Sequence, residues 1–93
     1  MIRSFRDKKV EAVAGGRMPK GFPPDRVATA RRKLKWLHEA VDLRDLKRPP
    51  GNRLEALAGD RAGQHSIRIN DQWRICFRWS EGGADDVEIV EYH

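Results

Sequence analysis

The hydrophobic residues between Pro24 and Val41 recur at spacings of three and four. The stripe consists of Val27, Ala30, Leu34, Leu37 and Val41. This is the period of an α-helix with one apolar side, so the pattern predicts an amphipathic helix that packs on a core. Pro24 suits the first turn of that helix, where a missing N–H costs no hydrogen bond.

Beyond Asn52 the pattern changes to alternation, the period of a β-strand. Strands are predicted at residues 53–57, 65–70, 73–79 and 86–92, separated by turns at 59–63, 70–71 and 82–83. In the strand 73–79, alternation puts Trp73, Ile75, Phe77 and Trp79 on one face and Arg74, Cys76 and Arg78 on the other.

The segment before the long helix is harder to assign. Residues 1–5 fit a short strand or a lead-in, residues 7–13 a short helix, and residues 43–46 a single helical turn. Helices followed by an antiparallel meander indicate one α+β domain over residues 1–93, with the helices packed on the apolar sheet face. The opposite face, which carries Arg68, Arg74 and Arg78, is predicted to be exposed and functional.

The charge is unevenly distributed along the chain. The net charge is +5 and the isoelectric point is near 9.9. Residues 1–53 hold 15 Lys and Arg against 6 Asp and Glu, whereas residues 54–93 hold 4 against 8. A basic half of this kind favours a nucleic-acid or ribosome binder over a merely solvated helix surface. The basic positions expected on the outer side of the long helix are Arg31, Arg32, Lys33 and Lys35. Trp36 lies nearly opposite the apolar stripe, where it either tucks under a loop or faces a partner.

Composition excludes several classes of protein. No apolar run is long enough for a transmembrane helix or a secretory signal, so a cytoplasmic protein is expected. The single cysteine, Cys76, lies in an apolar strand pattern and is predicted to be a buried, inert thiol. Three histidines at positions 38, 65 and 93 have no companion cysteines at metal-ligand spacing, so no metal or other cofactor is expected.

Two segments resemble a known group of bacterial toxins. Residues 53–79, RLEALAGDRAGQHSIRINDQWRICFRW, and residues 86–93, DVEIVEYH, are similar to the RelE/ParE superfamily, and within it to the HigB branch. The resemblance implies two helices packed on a curved, mainly antiparallel sheet. It also implies an endonuclease that cleaves mRNA codons in the ribosomal A site. The implied partner is a HigA-like helix-turn-helix antitoxin, which would bind a monomeric toxin in a hetero-oligomeric complex.

RNA cleavage by the neighbouring 2′-hydroxyl requires three tasks. The 2′ proton must be removed, the charge on phosphorus stabilised, and the departing 5′-oxygen protonated. No step requires a metal. By resemblance, the terminal Glu91, Tyr92 and His93 match a HigB Asp-Tyr-His triplet at the active site. An imidazole titrates near pH ~6.5, which suits His93 to proton transfer. Tyr92 would stack on a base or donate to phosphate, and Glu91 would act as base or orient His93.

Alternation conflicts with a shared site for this triplet. It puts Glu91 and His93 on the side of Val87 and Ile89, and Tyr92 on the other side. Either the last residues leave the sheet or the face assignment fails there.

Arg74 is the arginine predicted to bind the scissile phosphate, because it lies mid-strand and guanidinium binds phosphate in a bidentate fork. Arg68 and Arg78 are second choices. Some HigB toxins carry a catalytic histidine in a Leu-His-Pro-Leu segment, and the matching position here is Glu55. A carboxylate there would serve as a base but is a poor acid at neutral pH. His65, on the side of the core isoleucines, and His38, beside the helix stripe, are predicted to be structural.

Two other functions remain open from the sequence. A ParE-like toxin that inhibits a protein target such as gyrase without catalysis is favoured by Glu55 and disfavoured by the terminal triplet. A general RNA-binding module would use Trp36 and the arginines as its surface.

Overall fold

The long helix carries the hydrophobic stripe that its sequence predicts. The structure is a computed structural model, and it describes residues 1–18, 24–49 and 51–91. Helix α2, Pro24–Glu39, buries Val27, Ala30, Leu34 and Leu37. Val41 does not continue the stripe: the helix ends at Glu39, Ala40 is buried instead, and Val41 is 79% exposed.

A capped turn explains why the chain leaves the helix there. Residues Leu43–Leu46 form a 3₁₀ turn, at the predicted position. The Asp42 side chain accepts a hydrogen bond from the Arg44 N–H, and the Asp45 carboxylate accepts bonds from the N–H groups of Val41 and Asp42, at 3.0 and 3.1 Å. This reciprocal capping satisfies backbone donors that a longer helix would otherwise have used.

The short helix α1, Lys8–Ala14, begins one residue later than predicted. Asp7 is its N-cap, and its carboxylate accepts from the Val10 N–H at 3.0 Å. Val10 and Val13 are buried and pack into the same cluster as the α2 stripe. The two helices therefore cover one side of a single core.

Four antiparallel strands follow in the spatial order of the chain: β1, Glu55–Ala56; β2, Gln64–Arg68; β3, Trp73–Ser80; and β4, Gly83–Glu91. The N-terminal segment adds two parallel bridges, from Ile2 to Ala84 and from Phe5 to Val87, so the sheet is mainly antiparallel. These elements confirm the predicted α+β architecture. No helix in the described ranges has the length and apolarity needed to cross a membrane.

The boundaries of β1, β2 and β3 differ from the prediction by one or two residues, and a larger difference occurs at the start of β4. The strand expected at 53–57 contains only Glu55–Ala56. Strand β4 begins at Gly83 rather than at residue 86, because Glu81 and Gly82 take positive φ values of 48° and 74° and turn the chain at once after Ser80. Such left-handed pairs match the twist of hairpin strands, and glycine adopts them without strain.

Both faces of the sheet are buried at its centre, which was not expected. One face packs against the helices through Ile67, Ile75, Phe77 and Val87, all with no exposed surface. The other face was predicted to be exposed, but its centre is also covered, at Gln64, Ser66, Arg74, Cys76 and Glu88. The turn before β2 contributes to this cover: Arg61 binds Glu88 at 2.7 Å and Gln64 at 3.1 Å. Cys76 is buried as predicted.

Candidate functional site: a cationic cluster at one end of the sheet

The β2–β3 hairpin brings two arginines together. Arg68, the last residue of β2, is the cross-strand partner of Arg74 on β3. Directly paired residues point to the same face of an antiparallel sheet, so both guanidinium groups leave from one side. The hairpin loop is closed by Asn70, whose Oδ1 accepts from the N–H groups of Gln72 and Trp73, at 2.8 and 2.9 Å. The predicted turn at 70–71 therefore sets the register of the site.

Arg74 is buried rather than exposed, which corrects the sequence-based prediction. Only 8% of the residue is accessible. Its Nε donates to the Ser66 Oγ at 2.8 Å, and its Nη2 donates to the Arg53 backbone oxygen at 2.7 Å. These two bonds fix the orientation of the guanidinium. The reason for the burial is that the chain entering β1 crosses this end of the sheet.

Lys33 joins the two arginines, although its position on α2 predicted a place on the outer surface. The residue is 5% exposed, and its Nζ donates to the backbone oxygen of Arg68. Position 33 borders the apolar stripe at Leu34, so the aliphatic stem is buried and the ammonium reaches the end of β2. Burial lowers the pKa of Lys33 below its ordinary value, and the charges of Arg32, Arg68 and Arg74 lower it further. We refer to Lys33, Arg68 and Arg74 as the cationic cluster.

In the described residues, a carboxylate pairs with Arg68 of this cluster but not with Lys33. The Arg68 guanidinium pairs with Asp71, whose side chain is 94% exposed. Within residues 1–18, 24–49 and 51–91, Lys33 forms no ion pair with a carboxylate. An anion that approached Lys33 would therefore meet an ammonium group that no described carboxylate pairs with.

Two of the predicted catalytic carboxylates lie near the cluster in the strand register. Glu55 is exposed on β1 and pairs with Ser66, the residue that accepts the bond from Arg74, so it shares their face. Glu91 is exposed at the end of β4 and pairs with Trp73, the residue before Arg74. This pairing puts Glu91 on the opposite face from Arg74, as alternation predicted. Tyr92 and His93 lie outside the described residues.

Arg78 does not belong to this site. It lies four residues further along β3, about 13 Å away at 3.3 Å per residue. Its guanidinium pairs with Asp86 at 3.6 Å, and it is exposed. Arg78 also crowds the turn before β2, because a Cβ on Gly63 would lie 3.1 Å from its Nη1.

Four other basic residues of α2 lie on another side of the helix. Arg31, Arg32, Lys35 and His38 line a cavity of about 830 Å³ between the two helices and the N-terminal segment. The Arg31 Nε donates to the Val13 backbone oxygen at 3.4 Å. The single basic surface expected for α2 is therefore divided, with Lys33 at the sheet and the others around this cavity.

Trp36 is half-buried, and the Arg32 guanidinium lies 5.5 Å from the centre of its ring.

Neither histidine that was predicted to be structural joins the cluster. His38 is exposed, and its Nδ1 accepts from the Ile2 N–H at 3.1 Å. His65 stacks on Phe77 with ring centres 6.3 Å apart. Its Nδ1 is buried and has no hydrogen-bond partner among the residues that the structure describes.

Two contributors to the site were not recognised from the sequence, Ser66 and the backbone oxygen of Arg53. Ser66 carries a recoverable signal, because alternation from Arg68 places it on the arginine face. The position of Arg53 depends on how the loop folds back, and no periodic pattern encodes that. In the described part of the chain, no group of three or more His, Cys, Asp or Glu residues is arranged to hold a metal ion.

Comparisons with known proteins agree with the family resemblance and with the fold. Residues 3–93 match the family described as RelE-like toxin of type II toxin-antitoxin system HigB. The chain is 39% identical over 85 residues, 90% of each protein, to Toxin HigB-1 of Vibrio cholerae serotype O1. It is also 30% identical over 93 residues, the full length of both, to Endoribonuclease HigB of Proteus vulgaris.

Proposed function

Because the chain belongs to the HigB-like family of RelE-like toxins from type II toxin–antitoxin systems, we propose that it cleaves mRNA, and that it does so on the ribosome, within codons in the A site. The full-length similarity to a protein named as an endoribonuclease supports the reaction class. The observation that carries the proposal is Arg74, a guanidinium oriented by Ser66 and Arg53 beside Arg68 and Lys33.

The cluster suits the charge-stabilising task of the reaction. When the 2′-hydroxyl attacks, a bond forms from O2′ to phosphorus and the bond from phosphorus to O5′ breaks. Negative charge accumulates on the phosphoryl oxygens in between. Oriented donors in a partly dry site stabilise this charge more than water does, since they need not reorganise. Arg74 meets this requirement, and Arg68 supplies a second guanidinium on the same face.

The proton transfers fall to the carboxylates and the C-terminal residues in this proposal. Glu55 is exposed on the arginine face and would remove the 2′ proton. β4 ends at Glu91 opposite Trp73, so the chain reaches the end of the sheet that holds Arg74 before it continues to Tyr92 and His93. We assign His93 as the acid for the departing 5′-oxygen and Tyr92 as a stacking or hydrogen-bonding residue. Glu91 orients His93.

Primer extension tests this reaction. A reporter mRNA is incubated with purified protein, with and without programmed ribosomes, and the new 5′ ends are mapped. Cuts within the A-site codon that require ribosomes are expected. The control mRNA carries one 2′-deoxynucleotide at the position 5′ of the cut, and cleavage there should disappear because the nucleophile is missing. Equal cutting of free mRNA, or of the deoxy-substituted mRNA, would contradict the proposal.

The family implies an antitoxin partner. We propose that this partner is a HigA-like helix-turn-helix protein and that it holds a monomeric toxin in a hetero-oligomeric complex. Translating ribosomes make the cytoplasm the compartment in which this activity operates.

One observation favours a second candidate function, a non-enzymatic toxin of the ParE type that inhibits a protein target. Glu55 occupies the position at which some HigB toxins carry a catalytic histidine, so this chain has one proton donor fewer. Growth arrest without any new mRNA ends, by protein that still binds its antitoxin, would favour this candidate.

A further inference from the structure

Lys33 is an unusual residue for a helix that faces the core. Lysine is among the residues least often buried, and when buried it is normally paired with a carboxylate. Here the residue is 5% exposed, and its Nζ donates to a neutral backbone oxygen at the end of β2. Across the described ranges no carboxylate pairs with it.

The neighbours of Lys33 make its burial more costly. The residue whose oxygen it binds is Arg68, and the cross-strand partner of Arg68 is Arg74. Arg32 adds a further positive charge from the same helix, and among the described residues Arg68 pairs with the exposed Asp71. These surroundings disfavour the charged form of Lys33. The pKa of Lys33 is accordingly lowered, by burial first and then by the neighbouring positive charges. A bound anion would reverse this cost.

We propose that Lys33 is a phosphate-binding residue of the RNA site, supplying from helix α2 a third cation that acts with Arg68 and Arg74 on one backbone phosphate. The inference rests on the proposed function for its ligand, an RNA strand. It does not depend on cleavage, because it concerns binding alone. The proposed phosphate-binding role applies to Lys33 and not to Arg31, Arg32 and Lys35, which lie around the cavity between the helices.

A structural role and a binding role predict opposite effects of one substitution. Methionine has nearly the shape of lysine without the charge. If Lys33 serves the fold through its bond to the Arg68 oxygen, Lys33→Met should lower the melting temperature and leave RNA affinity unchanged. If Lys33 serves phosphate binding, removing an uncompensated buried charge should leave the melting temperature equal or higher, while RNA affinity falls.

The experiment measures binding of a short, fluorescein-labelled single-stranded RNA with 2′-O-methyl riboses, which the reaction cannot cut. Fluorescence anisotropy is recorded over a series of salt concentrations for the wild type, Lys33→Met, Lys33→Arg and Lys35→Met. Lys35 is the matched control, because it is an exposed lysine on the same helix. Lys33→Met should weaken binding about tenfold and reduce the slope of log affinity against log salt by about 0.7. Lys35→Met should stay within about twofold of the wild type, and Lys33→Arg should recover part of the loss.

Three results would overturn the inference. They are wild-type affinity in Lys33→Met, an equal loss in Lys35→Met, and no RNA binding by the wild type. Failure of the proposed function looks different. A protein that binds RNA through Lys33 but never cuts ribosome-bound mRNA would contradict the endonuclease and leave this inference standing.

Discussion

Arg74 illustrates how burial changes the use of a charged side chain. An exposed arginine must lose side-chain freedom each time it binds a phosphate. Arg74 has already lost that freedom, because Ser66 and the Arg53 backbone oxygen fix its guanidinium. Its charge is also less screened in a partly dry site than at the surface.

The first prediction concerns the oriented guanidinium of Arg74. Arg74→Lys keeps the charge but cannot make the same planar bonds, so ribosome-dependent cleavage should fall by about 10²-fold or more, measured by primer extension. Antitoxin binding, measured by co-purification, should survive. Arg78→Lys is the control, an exposed arginine on the same strand, and should cut within about twofold of the wild type. Cleavage by Arg74→Lys at the wild-type rate would show that another arginine binds the scissile phosphate.

The second prediction concerns Glu55. If this carboxylate removes the 2′ proton, Glu55→Gln should slow cleavage by about 10²-fold, since general-base catalysis is typically worth about 10²–10⁴-fold. The fold should be unaffected, because Glu55 is exposed on a two-residue strand. Glu81→Gln, at an exposed hairpin position, controls for loss of surface charge. Unchanged cleavage in Glu55→Gln would transfer the base role to the C-terminal residues.

At the scale of single elements, helix α2 shows what periodicity predicts and what it misses. The stripe from Val27 to Leu37 follows from a period of 3.6 residues, and the structure confirms it. The same period cannot tell a position at the edge of the stripe from an outward one when the side chain is long. Lys33 was therefore predicted to be exposed, although the residue is buried and its ammonium reaches β2.

The end of α2 gives the third prediction. The pKa values of Asp42 and Asp45 are lowered, first of all by backbone N–H donors, those of Arg44 for Asp42 and of Asp42 and Val41 for Asp45. A depressed carboxyl pKa adds stability above the ordinary value of about 3.9, and that stability is lost as pH falls through the lowered pKa. Asp45→Ala should therefore lower the melting temperature at pH 7, and the difference from wild type should shrink below pH ~4. Asp60→Ala, in a turn without a side-chain cap, should show no such pattern. A difference that persists at low pH would show that the loss does not come from the charged cap.

Strand β4 gives the fourth prediction. Its pairing with β3 extends to Glu91, and the whole described length of the strand precedes Tyr92. Deleting Tyr92 and His93 should leave the melting temperature nearly unchanged and abolish growth arrest on induction. Full toxicity of the truncated chain would rule out an acid or base at the C-terminus.

At the scale of the whole molecule, the sequence predicted the order of elements and the two helices on an antiparallel sheet. Alternation, turn residues and the helix stripe are local signals, and they predicted which elements form but not where all of them begin and end. The cover over the second sheet face was not predicted, because it depends on long-range contacts such as the Arg61–Glu88 and Arg6–Glu88 ion pairs. That cover turns an expected open arginine surface into one confined cluster at the end of the sheet.

The distribution of charge around the cluster also depends on long-range contacts, between the two halves of the chain. The basic first half of the chain contributes Lys33 to the cluster and the cavity-lining residues to a separate side of α2. The acidic second half contributes both candidate arginines and the carboxylates beside them. The site therefore depends on the docking of α2 against the hairpin, and on neither half alone.

The most direct test of the account is a map of RNA 5′-hydroxyl ends in cells after the toxin is induced. Attack by a 2′-hydroxyl leaves a 5′-hydroxyl on the downstream fragment, and cleavage on the ribosome restricts the cuts to translated codons in one reading frame. We predict new 5′-hydroxyl ends inside open reading frames with a three-nucleotide period, and their loss in Arg74→Lys. Growth arrest without such ends, or ends scattered equally through untranslated RNA, would contradict a ribosome-dependent endonuclease built around Arg74.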